Sequence, residues 1–406
     1  MNVILKRSFL ITSMVLIVMS MTVFLGCTSE PENTEPFKFG MILVGPKNDK
    51  GWSQAHYEGG KYLEEKLKTE PMIVMDKINP ADSPDITVEQ VVDDMVASGA
   101  KLIIATSDDM KDGILTAAAK HTSVPIVHVS GDSAWEEGKT YRSDLTLLSN
   151  VMGEMEYGKM IAGCAAALKT ETGKIGFLGP LINDETRRLA NSAYLGAKHC
   201  WTVNKGKNIA DLSFKVTWIG FWFHIPGFTI DPTQVTNQFF DSGIDVVISG
   251  IDTTEALVVA GQRAQKGDNV WAVPYDYEGA CEQAPTICLG VPYFNWGPSY
   301  VDIAESVKNN SYKSSWTWVG PDWKDINNKD KSAIGFMPGE GLTQVERKQI
   351  NTFISDLGKG KIKLFTGPLN YQDGTKYLDN GETASNKAIW YTPQLLEGME
   401  GNSSAE

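Results

Sequence analysis

The chain has 406 residues, 42% hydrophobic and 21% charged, which suits a globular protein with two packed domains. Its formal charge is −13, and loss of residues 1–27 would make it −15, since Lys6 and Arg7 are the only charged side chains there. That acidity excludes a surface built for nucleic acid or anionic lipid, and five cysteines are too few for a disulfide scaffold.

In chain order, Lys6 and Arg7 precede an apolar run from Phe9 to Leu25, and Phe24-Leu25-Gly26-Cys27 opens onto a polar run ending at Pro36. This is the build of a secretory leader with a small residue before the cut. The Cys after Gly26 resembles a lipobox, so Cys27 is expected to be diacylated and to become the mature N-terminus. Residues 28–36 then form a flexible tether. An uncleaved signal anchor is the alternative, because the apolar run approaches spanning length. The expected location is the cell membrane, lipid-anchored, facing the periplasm or the exterior.

Residues 39–44 read as a buried parallel strand, followed by a helix over 51–68 with Ala55, Gly59, Leu63 and Leu67 on one face. Strands are predicted at 72–75, 101–105 and 125–129, with helices at 87–98 and 113–120. The pattern restarts after 148 with a helix over 151–168. Strands at 174–178, 215–219, 245–249 and 270–273 alternate with helices at 185–200, 233–241 and 254–265. A strand at 287–291, a helix near 300–308 and a turn-rich stretch from 361 complete the chain. Repeated βα units predict α/β architecture with parallel sheets. Cys164 lies in the apolar run 160–168 and reads as a small buried hydrophobe. Cys281 and Cys288 are seven apart, and a local disulfide and two free thiols both remain open. For Cys200 the sequence indicates no partner.

After the first strand comes Gly45-Pro46-Lys47-Asn48-Asp49-Lys50-Gly51-Trp52-Ser53-Gln54-Ala55-His56-Tyr57-Glu58-Gly59-Gly60. Further on stand Ala105-Thr106-Ser107, the run Trp218 to Phe223 with Asp231-Pro232, Tyr275-Asp276, Asn295-Trp296-Gly297-Pro298 and Leu364-Phe365-Thr366-Gly367-Pro368. In this order, over about 38–400, they resemble the purine-binding branch of the BMP (basic membrane protein) family of ABC-transporter substrate-binding lipoproteins. The resemblance implies a type I periplasmic-binding-protein fold, with two doubly wound parallel-sheet lobes, a hinged cleft and three crossovers. Placing these near 148, 276 and 312 gives one lobe of 37–148 plus 277–312 and another of 149–276 plus 313–406. A purine nucleobase or nucleoside is the implied ligand and an ABC permease the implied partner. No catalysis, cofactor or metal is expected, and a monomer is. The chain departs from the family at Trp52-Ser53, where Phe-Asn is commoner, at the inserted His224 to Ile230, and at the acidic Asp108-Asp109.

Doubly wound sheets bind ligands beyond the carboxyl ends of their strands, so residues just after strands are site candidates. A purine is a flat π-system with a polar edge. Trp52 from one lobe and Trp222 from the other would sandwich it, at about 1–3 kcal/mol per stacked aromatic. Micromolar affinity needs about −8 kcal/mol, so hydrogen bonds to charged acceptors, about 1.5–3 kcal/mol each, must add to stacking. The resemblance assigns ligand contacts to Trp52, Ser53, Asp112, Trp222 and Asp276. Position in the chain adds Asp49, Ser107, Asp252 and Asn295.

Several of these residues have a structural alternative. Asp49 would cap the helix after it, and Trp52 would be core. Trp218 reads as sheet core and Trp296 as packing at a crossover. Asp108 and Asp109 read more readily as a solvated loop than as ligand contacts. The five histidines show no metal spacing, and neither a G-x-S-x-G elbow nor a P-loop occurs. The rival readings are a sugar receptor of the same fold, since Trp also stacks on pyranoses, and a nucleoside hydrolase.

Overall fold

The computed structural model describes residues 36–404. Cys27 and the leader lie outside the described residues, as does the tether apart from Pro36. The chain opens with β1 (Gly40–Ile42), α1 (Trp52–Leu67), β2 (Ile73–Met75), α2 (Val88–Ala97), β3 (Ile103–Ala105), α3 (Lys111–Lys120), β4 (Ile126–Val129) and β5 (Leu148–Gly153). A second series follows: α4 (Met155–Lys169), β6 (Lys174–Gly179), α5 (Asp184–His199), β7 (Ser213–Trp218), α6 (Pro232–Asp241), β8 (Val246–Ser249), α7 (Glu255–Gln265) and β9 (Trp271–Val273). The remainder holds β10 (Gly290–Phe294), α8 (Gly297–Lys308), β11 (Trp316–Val319), β12 (Ile334–Pro338) and α9 (Gln344–Gly358). It ends with β13 (Leu369–Asn370), β14 (Lys376–Leu378), α10 (Asn386–Trp390) and β15 (Met399–Glu400).

Two parallel sheets organise these elements. The first runs β11-β5-β4-β3-β1-β2 and the second β15-β7-β6-β8-β9. Their central strands are apolar and buried along their whole length, as in Ile103-Ile104-Ala105 and Val246-Val247-Ile248. That is the composition a strand covered on both faces requires. β10 and β12 pair as an antiparallel ribbon, and β10 runs beside the second sheet through single bridges at Ala272–Cys288 and Asp276–Tyr293. The expected strand at 287–291 thus starts three residues later, at Gly290.

α4 is buried on nearly every face, Glu156 and Lys159 included, and these two are paired with Arg188 and the Ser249 carbonyl. It packs closely on α5 because glycines meet backbone: a Cβ at Gly163 would stand 1.8 Å from the Ala193 carbonyl oxygen, and one at Gly196 would stand 1.9 Å from that of Met160. Cys164 is bonded to Cys200, just past α5, so it is a crosslink rather than a free hydrophobe. Cys281 and Cys288 are also joined.

The structure differs from the sequence reading at the crossovers. Residues 148–153 continue the first sheet as β5, whereas a helix was expected from 151. Val151 and Met152 are buried in the strand and would be buried in a helix, so periodicity does not separate the two. β11 also belongs to the first sheet, paired with β5 just beyond the crossover expected near 312. Sequence reading missed β12 and α9, although Thr343 and Glu346 form a capping box at the start of α9 and Ile350, Phe353 and Leu357 share its buried face. Among the described residues, no helix is long and apolar enough to cross a membrane.

Candidate functional site

A gap between the carboxyl ends of the two sheets is lined from one side by Trp52, Ser107, Asp108 and Ser130. From the other side come Phe177, Pro180, Glu185, Thr186, Leu189, Trp222, Gly250 and Asp252, with Tyr275 from the segment after β9. Counting all the space between its atoms and the solvent in its mouth, it takes in about 470 Å³.

Trp52 stands at the start of α1 and is 7% exposed. Its indole N–H donates to the Thr106 carbonyl at 2.7 Å. Its ring meets Phe294 and Trp296 edge-on, at centroid distances of 5.3 and 5.5 Å. Trp296 in turn stacks on His56 at 4.3 Å and on Phe294 at 4.6 Å. Trp52 therefore serves as core and as pocket wall together, and its orientation is fixed by its neighbours. Trp296 is packing, as expected.

Trp222 lies in the loop after β7, half-buried, on the opposite side of the gap. The inserted residues close on themselves: the Phe228 and Thr229 amides both donate to the Ile225 carbonyl at 3.0 Å, and the Ile230 amide returns to the Ile219 carbonyl at 2.9 Å. The insertion thus forms a projecting turn with Phe228 87% exposed at its tip, while Trp222 stays at the gap. The Trp222 carbonyl accepts from the Asp252 amide at 2.9 Å.

Asp49 caps α1 as expected. Its carboxylate accepts from the Gly51, Ser53 and Gln54 amides, each at 2.9 Å. Burial still raises its pKa, with those three donors opposing. Ser53 is buried, and its hydroxyl accepts from the Gly45 amide at 2.9 Å, which ties the loop to the helix. Neither Asp49 nor Ser53 lines the gap. Ser107 and Asp252 do. Asp112 instead lies exposed on α3, and Asp108, read from sequence as solvated loop, lines the gap in its place. The Asn295 amide group donates to the carbonyls of Lys329 and Ser332 at 3.0 and 2.7 Å, so it braces the chain around the β10–β12 ribbon and does not line the gap.

Asp276 follows β9 with φ +72, an uncommon angle for a side-chain-bearing residue. It is fully buried, and neither carboxyl oxygen has a hydrogen-bond partner. Burial raises its pKa far above the carboxylate range. Lys159 opposes that shift, and Asp49 and Glu185 add to it. Asp252 is raised likewise by burial, then by the charges of Asp276, Asp49, Glu185 and Glu255. In Glu185 burial pushes the value to about 7, with the Arg188 guanidinium opposing. Asp252 and Glu185 line the gap and Asp276 does not, and burial favours the neutral, O–H-bearing form of all three carboxyls. Among the described residues, no group of three or more His, Cys, Asp or Glu could hold a metal ion.

The two sides also touch directly. The Trp52 amide donates to the Asp252 carbonyl at 3.3 Å. A Cβ on Gly51 would stand 1.7 Å from that carbonyl oxygen, so glycine alone permits this approach. Farther along, Trp135 in the loop after β4 stacks on Trp316 of β11 at 4.2 Å and on Tyr391, just past α10, at 5.7 Å. Tyr391 donates to the Asp132 carboxylate, and Lys139 pairs with Asp184 at the start of α5 at 3.1 Å.

Sequence reasoning missed Ser130, Pro180 and Gly250, which directly follow strands and were legible by that rule. It also missed Glu185, Thr186 and Leu189, which face the gap from α5, where no local signal marks them.

Residues 37–221 match the family model described as Bmp: ABC transporter substrate-binding protein PnrA-like. A purine-binding protein of Brucella abortus (strain 2308) is 26% identical over 357 residues, covering 87% of this chain and 90% of its own. A putative ABC transporter glucose-binding protein of Haloferax volcanii is 23% identical over 290 residues, covering 71% of this chain and 66% of its own. Among solved structures, an ABC transporter solute-binding protein from Aeropyrum pernix K1 superposes with a TM-score of 0.62 at 13% identity, over 81% of this chain and 93% of that one. At that identity the likeness concerns fold alone, and the fold is the type I periplasmic-binding-protein arrangement expected from the sequence.

Proposed function

We propose, for a chain that belongs through residues 37–221 to the Bmp family of PnrA-like ABC transporter substrate-binding proteins, that the gap between its sheets captures a purine nucleobase or nucleoside. The observation that carries this reading is the pairing of Trp52 and Trp222 on opposite sides of one gap edged by Asp108, Glu185 and Asp252. Two indoles offer faces to a flat ring, and the carboxyls accept from its amine, ring N–H or ribose hydroxyls. The name of the Brucella relative, similar along most of both chains, supports the same ligand class.

In this reading β1–β5, β11 and α8 form one lobe, and β6–β9, β15, α4, α9 and α10 form the other. Ligand contacts made only when the lobes meet shift the population toward the closed form. The closed protein then docks on a membrane permease and releases its cargo chemically unchanged. Acyl chains on Cys27 hold it at the membrane, because more than one chain makes anchoring stable.

Calorimetry against adenine, adenosine, guanosine, ribose and glucose tests the proposal. Purine binding near micromolar is expected, with no ribose released on incubation. The second reading is a sugar receptor, favoured by the likeness to a protein named for glucose binding and by indoles that also stack on pyranoses. Glucose binding without purine binding would establish it in place of the first.

A further inference from the structure

We propose that Ser130 is a specificity-determining residue of the inter-lobe gap: its hydroxyl, held there by a left-handed turn after β4, pairs with one polar atom on the ligand's edge. The inference rests on the reading that this gap holds the ligand.

Ser130 directly follows β4 and lines the gap together with Trp52, Ser107 and Asp108. Its φ is +67. In that region a Cβ crowds the following carbonyl oxygen, and glycine is the unstrained residue. Ser130 is 9% exposed, and its Oγ has no hydrogen-bond partner. A buried hydroxyl left unpaired is a second cost. On stability alone, glycine would serve better on both counts. Among the described residues, Ser130 alone combines a left-handed backbone, an orphaned buried oxygen and a place on the gap. Asp276 shares the first two features and not the third.

The surroundings hold the turn in place. Asn150 of β5 is buried and grips it from both ends. Its amide nitrogen donates to the His128 carbonyl at 3.1 Å, and its oxygen accepts from the Ala134 amide at 2.7 Å and the Ser133 hydroxyl at 3.3 Å. The Ser130 amide donates to the Val151 carbonyl at 3.2 Å. A Cβ on Gly131 would stand 2.4 Å from both His128 Nδ1 and Asn150 Nδ2, so the chain is pressed against those side chains. His128 Nε2–H donates to the Ser107 carbonyl at 2.9 Å, which ties the two gap-lining serines to one ring. Strained backbone persists only where its neighbours over-determine it, and it gathers at ligand sites. The other hydroxyls on the gap are placed differently. Ser107 Oγ accepts from the Asp109 amide at 3.3 Å. Thr186 Oγ1 accepts from the Asn183 amide at 3.0 Å and donates to the Asn183 carbonyl at 3.2 Å. Tyr275 Oη is unpartnered, on a residue without positive φ. A hydroxyl both donates and accepts, so Ser130 can meet a ring nitrogen or a ribose hydroxyl.

The experiment compares wild type with Ser130→Ala, which removes the oxygen, and Ser130→Gly, which also relieves the turn. Adenosine and guanosine affinities are measured by calorimetry, with thermal melts of the unliganded proteins. Both variants are expected to bind about tenfold more weakly than wild type, with no fall in the melting temperature of Ser130→Gly. Adenosine analogues that each lack one ring nitrogen or one ribose hydroxyl separate contact from packing. For one of them, the penalty seen with wild type is expected to vanish in Ser130→Ala. Equal penalties in both proteins for every analogue overturn the proposal. So does wild-type affinity in Ser130→Ala, whatever its melting temperature. If wild type binds glucose and no purine, the purine reading fails, and the same comparison with single-deoxy glucoses judges Ser130. If wild type binds neither, the capture reading fails and Ser130 falls with it. Should Ser130→Ala not fold, Ser130→Gly carries each comparison.

Discussion

Trp52 and Trp222 face the same gap under different constraints, and that difference separates binding from stability. Trp222 is half-buried on a loop. Trp222→Ala is expected to weaken purine binding roughly 5- to 150-fold, the equivalent of about 1–3 kcal/mol of stacking, with little change in melting temperature. Trp52 is almost wholly buried against Phe294 and Trp296. Trp52→Ala should therefore lower both, with a stability cost of about 3–5 kcal/mol. Calorimetry together with thermal melts distinguishes the cases, and unchanged purine affinity in both variants would remove the sandwich. Gly51 supplies a third handle. A methyl there would collide with the Asp252 carbonyl across the gap. Gly51→Ala should weaken ligand binding at least tenfold without contacting ligand, and X-ray scattering with ligand present should report a more open particle. A closed particle of normal affinity would show that this approach is not needed.

At the level of elements, α4 and α5 pack tightly on one another through Gly163 and Gly196. Cys164–Cys200 closes a separation of 36 residues across that contact, whereas Cys281–Cys288 spans 7. On chain entropy, losing the first crosslink costs about 4 kcal/mol and losing the second about 2 kcal/mol. Denaturant unfolding of the paired Cys→Ala variants should rank them in that order. The Glu156–Arg188 pair, at 2.6 Å and almost fully buried, ties the same two helices. Arg188→Met leaves the Glu156 carboxyl buried without its partner and is expected to destabilise the protein by about 3–5 kcal/mol.

Across the whole molecule, the acids of the gap tie stability to pH. Burial raises Glu185 to about 7 from an ordinary value of 4.5. Between those values the folded protein holds a proton that the unfolded chain releases. Its contribution is therefore fully present below about 4.5 and is lost as pH rises toward 7. Glu154, beside the crossover after β5, is raised to about 7 by burial and by Glu156, and has the same sign. Urea unfolding of Glu185→Gln should show a flatter fall in stability from pH 4.5 to 7 than wild type. An identical slope would mean that Glu185 does not titrate in that window.

The sequence by itself determined the two series of alternating strands and helices, because buried parallel strands must be continuously apolar and their helices amphipathic. It offered Asp49 both as a cap of α1 and as a ligand contact, and the structure shows the cap, a local matter of one side chain and three nearby amides. Ser107 and Asp252 were legible as gap residues because they follow strands closely, and Trp52 and Trp222 through the family resemblance. Only the tertiary structure decided that Asp112 faces outward while Asp108 lines the gap, since a single helical turn separates the two orientations. It alone joined Cys164 to Cys200, put β5 and β11 in one sheet, and brought Glu185 and Leu189 to the gap from α5. The physical reason is range. Propensity, capping and periodicity act over a few residues, whereas which helix faces meet, and which charges share a dry space, depends on contacts between segments a hundred residues apart.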